Sequence, residues 1–395
     1  MSEVVFALPS GRITCAVTAE TLALGNLLGI APAAEPPQPY AFIAKVTGRH
    51  WPTRPLVMRH IFMRLCASLL ARPAHQGLPG PVWALGLAEA GALLAGGVAN
   101  TLAQTQHRDD LYFQHTTTRP AADKPLLDLG APGAAQYLHR PLTLFEEPFF
   151  HARTLVLADE HLTPEHPLCH LAERLGALPL DAERIILLSL TNWLDHAARQ
   201  VVTQRVQDAW GRRTRRPPQL TWCSLLEGTV AYQPHPVSAP PAPPAPSPVT
   251  PRPAPLAADH LGRRGLQLPL APPLNALRLV AGGPGPAGQE LPAVALIGTG
   301  EYVLQPYLAA LRLADKGYPV NFHCSSRTVL LPGGDIAAVQ AMPDPYLSGQ
   351  PHYLYNPPDP RVYQTVALYE TPEAASQPHA GMTATTLRDD HGRWG

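Results

Sequence analysis

The chain has 395 residues, of which 45% are hydrophobic and only 15% charged, with 30 basic and 30 acidic side chains. This length exceeds the size to which one hydrophobic core usually grows, so we expect two domains. The sparse and balanced charge argues against a broad electrostatic surface for nucleic acid or for an anionic membrane, and we expect neither as a partner.

The cysteines and the apolar segments indicate a cytoplasmic protein. Five cysteines lie far apart without a CxxC pair, and their odd number argues against a disulfide framework and a structural zinc site. No stretch approaches ~18 uninterrupted apolar residues, and acidic Glu3 stands where a signal peptide carries basic residues. We therefore expect neither a membrane span nor a signal peptide.

The N-terminal part is predicted to alternate strands with helices after an irregular segment over residues 1–40, which is proline-rich towards its end. The pair Arg54-Pro55 opens a helix that continues through LVMRHIFMRLCASLLA. Apolar strands follow in PVWALG, DLYFQHT, RTLVLAD and RIILLSL, with helical patterns after three of them. This alternation predicts an α/β domain over residues 41–233, with a mostly parallel sheet covered on both faces.

A proline-rich segment separates this domain from a smaller one. Alternating proline and alanine over residues 238–257 cannot form ladder hydrogen bonds or bury a core, so we expect an extended linker over residues 234–258. A strand, a Gly-rich turn, a helix and a second strand are then predicted in AVALIGTGEYVLQPYLAALRLADKGYPVNFHCSS, and a further strand in RVYQTVALYET. These elements indicate a second α/β unit over residues 259–375, followed by a tail over residues 376–395.

Two adjacent acids, Asp159 and Glu160, stand at the end of the strand TLVLAD. Carboxylates at the carboxyl end of a parallel strand can bind the paired hydroxyls of a ribose, directly or through Mg²⁺. The loop that follows carries Thr163 and can place amides around a 5′-phosphate, while the turn LGLAEAG (85–91) is a candidate for a pyrophosphate. The alternative is that the two acids simply start a helix.

Several segments, taken together, resemble a known bacterial family. FIAKVTGRHWPTRP, GLAEAGALLAGGV, FQHTTTRP, LFEEPFFHA and LVLADE resemble, in this order, segments of orotate phosphoribosyltransferase-like proteins. After the linker, HLGRRG, GTGEYVLQPYLAALRLADKGYPVNFHCSSR, YLYNPP and VYQTVALYE resemble the TRSP domain that accompanies that transferase. The resemblance covers roughly residues 40–375 without the linker. It implies a phosphoribosyltransferase-like fold, phosphoribosyl diphosphate and Mg²⁺ as ligands, and an association with tellurium-resistance and stress-response gene clusters.

The resemblance also implies roles for individual residues. Asp159 and Glu160 match the ribose- and metal-binding acids, and Arg119 matches a residue that could neutralise the leaving diphosphate. Further substrate-binding positions are matched by Gly86, Glu89, Gly91, His115, Thr116, Thr117, Glu146, Glu147, His151 and Thr163. The C-terminal unit matches its family at Gly298, Thr299, Gly300, Glu301, Ser326 and Arg327.

The sequence departs from this family in its phosphate loop, where Thr163, Pro164, Glu165, His166 and Pro167 replace a Ser-Thr-Gly-Asn-Thr-like run. The prolines remove two amide donors, and one carboxylate about 4 Å from a phosphate would cost about 4 kcal/mol. Protonation of His166 would offset part of this cost. A changed substrate, a metal-bridged phosphate and a loss of catalysis with binding retained all remain open.

Two functions are consistent with these patterns. The first is a phosphoribosyltransferase that moves ribose 5-phosphate to or from a nucleobase-like acceptor, with a degenerate phosphate loop. The second is a non-catalytic nucleotide-binding or assembly protein that uses the same pocket as a sensor. The sequence leaves open the acceptor base, the ligand of the C-terminal unit and the oligomeric state, for which a homodimer is one option.

Overall fold

The computed structural model describes residues 2–34, 39–72, 78–119, 123–130, 136–164, 166–214, 216–235, 260–280, 291–377 and 381–387. The strands before the linker are β1 (Ser2–Leu8), β2 (Gly11–Glu20), β3 (Leu28–Pro32), β4 (Tyr40–Ala44), β5 (Val82–Gly86), β6 (Leu111–His115), β7 (Leu127–Asp128), β8 (Tyr137–Leu138), β9 (Thr154–Leu162), β10 (Arg184–Asn192) and β11 (Gln219–Pro234). The helices are α1 (Leu24–Leu27), α2 (Pro55–Ala71), α3 (Ala90–Thr105), α4 (Thr143–Phe150), α5 (Pro167–Arg174) and α6 (His196–Gly211).

After the linker the strands are β12 (Leu266–Leu268), β13 (Val294–Gly298), β14 (Val320–Cys324), β15 (Val339–Met342), β16 (His352–Tyr355), β17 (Gln364–Leu368) and β18 (Thr383–Thr385). The helices of this part are α7 (Leu304–Asp315) and α8 (Pro372–Ala375). The predicted spacer over residues 238–257 lies outside the described residues.

The main sheet has the strand order β1-β2-β11-β10-β9-β5-β6-β12. Its five central strands pair in parallel, whereas β1, β2 and β12 add antiparallel edges. Successive residues of β9 alternate between two cores: Val156 and Ala158 pack with α2 and α3, and Leu155 and Leu157 pack with α5 and α6. A near-continuous apolar strand is required when both faces of a sheet are covered. The predicted α/β class with a mostly parallel main sheet is confirmed.

The prediction that residues 1–40 are irregular is wrong. Strands β1 and β2 form a hairpin, and β2 pairs with β11 to extend the main sheet. In β2 the buried residues Ile13, Cys15 and Val17 alternate with more exposed ones, which is the period of a strand with one buried face. Strand β3, which also lies in this range, pairs antiparallel with β4 just after it. The alternation was therefore present in the sequence, although the prolines that follow it obscured it.

The C-terminal part forms a second, smaller parallel sheet with the order β14-β13-β17-β18. Two predicted boundaries differ from this arrangement. Residues 266–268 fall within the predicted second unit, but β12 pairs with β6 and completes the main sheet. Residues 383–385 fall within the predicted tail, but β18 pairs with β17 in the second sheet. Strands of three residues carry too little periodicity to be recognised from sequence.

The two sheets share one interface. Thr53 and Phe322 exchange backbone hydrogen bonds of 3.1 and 2.8 Å, and the Cys324 amide donates to the Gly48 carbonyl oxygen at 2.8 Å. Residues 48–53 thus lie along the outer edge of β14. Apolar side chains from both units, among them Leu93 and Leu304, belong to one continuous core. Within the described residues, no helix combines the length and the hydropathy needed to cross a membrane.

Candidate active site

The acidic pair lies at the carboxyl end of the central strand β9. Gly86, the last residue of β5, pairs with Ala158, so Asp159 and Glu160 extend one and two residues beyond the end of this neighbouring strand. The Asp159 side chain is 13% exposed, and Glu160 is 3% exposed. Both carboxylates therefore lie where open parallel sheets bind ligands.

Burial and a few polar neighbours set the charge of this pair. Thr47 Oγ1 donates a hydrogen bond to Glu160 Oε1, and the Glu160 amide donates to Asp159 Oδ1 at 2.7 Å. Burial raises the pKa of Asp159 to about 6 and the pKa of Glu160 to about 7, against the opposing effect of the Arg49 guanidinium. Two carboxyl groups that ionise near neutral pH can release protons when a cationic ligand binds.

The turn between β5 and α3 lies close to β9 because it is built with glycine. A Cβ on Gly86 would overlap the Gly91 carbonyl oxygen, and a Cβ on Gly91 would lie 2.5 Å from the Ala158 carbonyl oxygen. The Ala88 amide donates to Thr116 Oγ1 at 2.8 Å, which ties the turn to the segment after β6. The N-terminus of α3, directly after this turn, provides amides of the kind that bind phosphate groups.

Glu89, which lies between Gly86 and Gly91 in this turn, directs its side chain to the C-terminal unit. Arg49 Nη2 donates to Glu89 Oε2 at 2.8 Å, and Ser326 Oγ donates to the same oxygen at 2.9 Å. The Arg327 amide donates to Glu89 Oε1 at 3.3 Å. The turn predicted to bind pyrophosphate and the hydroxyl-arginine motif predicted for the second unit are thus in direct contact.

A small cavity lies between Glu160 of the acidic pair and the C-terminal unit. Its volume is about 10 Å³, which is the space of one water molecule. Its walls are formed by Thr47, Arg49, Glu89, Ala90, Leu93, Glu160, Gly300, Val303, Cys324 and Ser325. The structure therefore brings together three predicted site residues: Glu160 of the acidic pair, Glu89 of the β5–α3 turn, and Gly300 of the Gly-rich turn in the second unit.

Arg49 is the main residue of this cavity that the sequence analysis did not identify. Burial alone lowers its pKa, but the carboxylates of Glu89, Glu160 and Asp159 outweigh burial, so the pKa is raised and the side chain stays charged. Its only signal in the sequence was the resemblance of the segment FIAKVTGRHWPTRP, which contains both Thr47 and Arg49. That segment marks a matched region without indicating which of its side chains face the acids.

The HTTTR segment contacts the second unit. Thr117 Oγ1 donates to Glu301 Oε2 at 2.6 Å, and Arg119 Nη1 lies 3.5 Å from Glu370 Oε2. His115 is buried, and burial lowers its pKa, so it is a neutral side chain within the sheet interior. Arg119 was expected to face the leaving diphosphate, whereas in this structure it contributes to the contact between the two units.

The Gly-rich turn of the second unit is held by its own neighbours. Thr299 Oγ1 donates to the Leu368 carbonyl oxygen at 2.8 Å, and the Gly300 amide donates to Ser325 Oγ at 3.0 Å. The turn begins at Gly298, where β13 ends, and so lies at the carboxyl end of the second sheet. The carboxyl ends of both parallel sheets therefore face the same cavity.

A second predicted cluster lies elsewhere. His151 Nδ1 is 2.6 Å from Asp181 Oδ2 at an exposed position, Glu146 pairs with Arg140 at 3.2 Å, and Glu147 is exposed. These residues precede β9, so they lie at its amino end. Five strand residues, about 16 Å, separate that end from Asp159. The structure does not bring this cluster to the acidic pair.

The predicted phosphate loop leads directly into α5. Pro167 occupies the first helical position, and His166 Nδ1 accepts a hydrogen bond from the Leu168 amide at 3.2 Å. Burial lowers the pKa of His166 to about 4. In the ligand-free protein His166 is therefore neutral at pH 7, and its protonation beside a bound phosphate stays a prediction. Thr163 is partly buried beside this helix, and Glu165 lies outside the described residues.

The acidic pair suits a magnesium ion that also binds substrate and water, rather than a metal held by protein ligands alone. Among the described residues, no group of three or more histidine, cysteine or acidic side chains could hold an ion. Magnesium, however, often binds through one or two carboxylates together with substrate phosphates and water. Asp159 and Glu160 supply such carboxylates.

The fold and this site define a class of protein: an α/β protein with acids at the end of a central parallel strand and a close glycine turn beside them. The profile of a family described as phosphoribosyl transferase matches residues 27–229, just over half of the chain. The chain belongs to this phosphoribosyl transferase family. The match ends before the second unit, so the TRSP assignment stays a prediction, as does the likeness to orotate transferases.

Solved structures with a similar arrangement are adenine phosphoribosyl transferases. The protein from Trypanosoma brucei is 15% identical, with 50% of this chain and 76% of that chain covered and a TM-score of 0.34. The protein from Giardia lamblia is 13% identical, with 51% and 94% covered and a TM-score of 0.31. The protein from Leishmania donovani is 10% identical, with 50% and 77% covered and a TM-score of 0.31. No curated protein matches the chain.

Proposed function

We propose that the chain is a phosphoribosyltransferase that binds phosphoribosyl diphosphate with Mg²⁺ and transfers ribose 5-phosphate to or from a nucleobase-like acceptor. The observation that carries this proposal is the position of Asp159 and Glu160 at the end of β9, beside the glycine turn that begins at Gly86. In this reading the two carboxylates hold the ribose hydroxyls, and the amides at the start of α3 hold the diphosphate.

The chain's own residues would stabilise the charges that develop during transfer. The bond between ribose and diphosphate breaks first, which leaves positive charge on the ribose and negative charge on the diphosphate. Asp159 and Glu160 would face the positive charge, and Arg49 is a buried cation that interacts with both acids and with Glu89 of the turn. Magnesium, when bound, would neutralise the diphosphate oxygens.

The finer parts of the assignment rest on resemblance. We assign the C-terminal unit as a TRSP-like domain and the pathway as one associated with stress and tellurium resistance. The direct contact between Ser326-Arg327 and Glu89 supports a joint function of the two units, because it brings the motif of one to the turn of the other.

A non-catalytic nucleotide-binding protein is the second candidate. Its support is the size of the cavity, about 10 Å³, where small-molecule pockets usually measure roughly 300–1,000 Å³. Within the 163–167 loop, the neutral His166 and the two prolines also give a 5′-phosphate few donors. A protein that binds without turnover would need the same acids but not a complete phosphate loop.

Calorimetric titration with phosphoribosyl diphosphate and Mg²⁺ tests the common part of both candidates. The wild-type chain should bind, and Asp159→Asn should not. The control is Asp181→Asn. It changes an exposed aspartate that pairs with His151 near the amino end of β9, and it should bind like the wild type. An absence of binding heat from the wild type would contradict both candidates.

Release of diphosphate, measured with a panel of nucleobases, then separates the two candidates. Base-dependent release that Asp159→Asn abolishes supports the transferase. Binding without release from any base supports the sensor.

A further inference from the structure

The Glu89 carboxylate is surrounded by donors from distant segments. Oε2 accepts hydrogen bonds from Arg49 Nη2 at 2.8 Å and from Ser326 Oγ at 2.9 Å. Oε1 accepts from the Arg327 amide at 3.3 Å and lies 3.4 Å from Arg327 Nε. The Glu89 side chain is only 9% exposed. Two guanidinium groups, one hydroxyl and one amide thus converge on a single carboxylate.

The backbone at Glu89 is strained while it makes these contacts. Its φ is 65° and its ψ is −96°, a region that residues with a side chain rarely adopt. Such conformations persist only where the surrounding structure imposes them, and they concentrate at ligand sites and switches. Glu89 precedes α3 directly, but its side chain makes no capping bond to that helix and reaches across to the second unit instead.

The donor set suits a phosphoryl group better than a carboxylate. Arginine forks, hydroxyls and free amides are the groups that proteins use to bind phosphate, and charge-assisted bonds to such an anion are stronger than neutral ones. A phosphoryl group presents three oxygens and close to two negative charges, whereas Glu89 presents two oxygens and one charge. Thr328 Oγ1, 2.8 Å from Arg49 Nη2, holds that guanidinium in place.

We propose that Arg49, Ser326 and Arg327 form a phosphoryl-binding subsite shared between the two units, and that the Glu89 carboxylate occupies it when no ligand is bound. The identification of the phosphoryl group as the diphosphate end of phosphoribosyl diphosphate rests on the proposed function. The subsite itself does not, because any diphosphate anion would engage the same donors. For such an anion to bind, the Glu89 side chain must leave.

This assignment gives the C-terminal unit a direct part in ligand binding. The prolines of the 163–167 loop remove donors on one side of the acidic pair, and Arg327 with Ser326 adds donors on the other side, next to the β5–α3 turn. It also accounts for the small size of the cavity, since Glu89 and Arg49 form part of its wall and the exit of Glu89 would enlarge it.

The test is titration of the full chain with inorganic pyrophosphate in buffer that contains Mg²⁺. Glu89→Gln should bind pyrophosphate at least about tenfold more tightly than the wild type, because the competing charge is removed while the side chain keeps its size. Ser326→Ala and Arg327→Gln should weaken binding, and Arg327→Gln should also cancel the gain when it is combined with Glu89→Gln.

Matched controls exclude a general effect of charge. Glu183→Gln and Arg361→Gln change exposed residues that pair with the surface residues Arg153 and Asp359, and both should bind pyrophosphate like the wild type. If Arg327→Gln does not fold, as judged by circular dichroism, Arg327→Lys keeps the charge but loses the fork and should still bind more weakly. Unchanged or weaker binding by Glu89→Gln would overturn the subsite, because a purely structural carboxylate has no competing role.

The same measurements separate this proposal from the transferase assignment. If pyrophosphate binding follows the predicted order but phosphoribosyl diphosphate does not bind, the subsite stands and the transferase assignment fails. If phosphoribosyl diphosphate binds through Asp159 but Glu89→Gln leaves pyrophosphate binding unchanged, the transferase assignment stands and the subsite fails.

Discussion

Arg263 Nε donates a hydrogen bond to Glu301 Oε2 at 2.8 Å, and both side chains are only 1% exposed. The same guanidinium donates to both oxygens of Glu370. Arg263 belongs to the segment that leads into β12 of the main sheet, whereas both glutamates follow strands of the second sheet. A fully buried arginine thus neutralises two carboxylates at the interface between the units.

Replacement of Arg263 with glutamine should therefore destabilise the protein strongly. Removal of one partner from a buried ion pair leaves an uncompensated charge and typically costs about 3–5 kcal/mol. Urea unfolding measures this cost. The neighbouring Arg264→Gln is the control: Arg264 pairs with Asp123, whose side chain is 44% exposed, so the change should cost about 1 kcal/mol or less. Similar losses in both variants would contradict the assigned role of Arg263.

The same cluster predicts how stability changes in acid. Although burial raises the pKa of Glu301, Arg263 and the other donors outweigh it and lower this pKa from the ordinary 4.5 to about 2. The resulting stability is present above pH 4.5 and is lost as the pH falls towards 2, on the order of 3 kcal/mol for this group. The free energy of unfolding of Glu301→Gln should depend less steeply on pH in that range than that of the wild type. If the free energy of unfolding depended on pH equally in both proteins, Glu301 would not be the source of this stability.

The acidic pair, whose pKa values are raised rather than lowered, predicts that ligand binding releases protons. Since burial raises the pKa of Asp159 to about 6 and of Glu160 to about 7, both are partly protonated near neutral pH. Binding of a magnesium complex favours the ionised carboxylates. Binding should therefore release protons at about pH 6.5, and it should release few at about pH 8.5. Calorimetry in buffers of different ionisation enthalpy measures this release. Glu160→Gln should release fewer protons, and proton uptake by the wild type at the lower pH would contradict the prediction.

The parts of this fold that could be predicted are those whose signals are local. The apolar run that ends at Asp159 predicted β9, and the small residues after Gly86 predicted α3, because a strand buried on both faces and a helix packed closely on it each need that composition over consecutive residues. The hairpin of β1 and β2 had an equally local signal in the alternation around Cys15. The prolines that follow this hairpin mask the signal, because proline is typical of irregular segments.

The parts that could not be predicted depend on contacts between distant residues. Arg119 lies beside Glu370, 251 positions away, and Ser326 beside Glu89, 237 positions away. Nothing in the local pattern of either segment states which partner it meets. The resemblance indicated two separate sites, one for each unit, whereas packing places both at one interface. The position of His151 was different, because a residue that precedes a strand must lie at its amino end, and sequence order alone could have excluded it from the site.

Gly91→Ala should destabilise the fold and distort the turn. The added Cβ would lie 2.5 Å from the Ala158 carbonyl oxygen, a backbone atom that cannot move without shifting β9. Overpacking of this kind costs about 1–3 kcal/mol in the free energy of unfolding, which urea denaturation measures. The control is Gly25→Ala, where the added Cβ meets nothing within 4 Å, so stability should stay level or rise by up to about 1 kcal/mol. Equal effects at both positions would show that β9 tolerates the methyl group.

The affinity for phosphoribosyl diphosphate should depend more on Arg49 than on Arg119. Arg49 lies in the cavity wall with Glu160 and Glu89, whereas Arg119 lies against Glu370 and over the Tyr346 ring, with its guanidinium carbon 4.6 Å from the ring centroid. Loss of charge-assisted bonds to an anion typically costs about 1.5–3 kcal/mol, so Arg49→Gln should weaken binding by about tenfold to a hundredfold.

Arg49→Lys should recover part of this loss, because it restores the charge without the two-pronged geometry. Arg119→Gln should weaken binding less than Arg49→Gln, since its main contact stabilises the interface between the units. Calorimetric titration of the three variants gives the order directly. The reverse order, with Arg119→Gln weaker than Arg49→Gln, would restore the role that the sequence first suggested for Arg119, and would mean that this segment turns towards the acids when ligand binds.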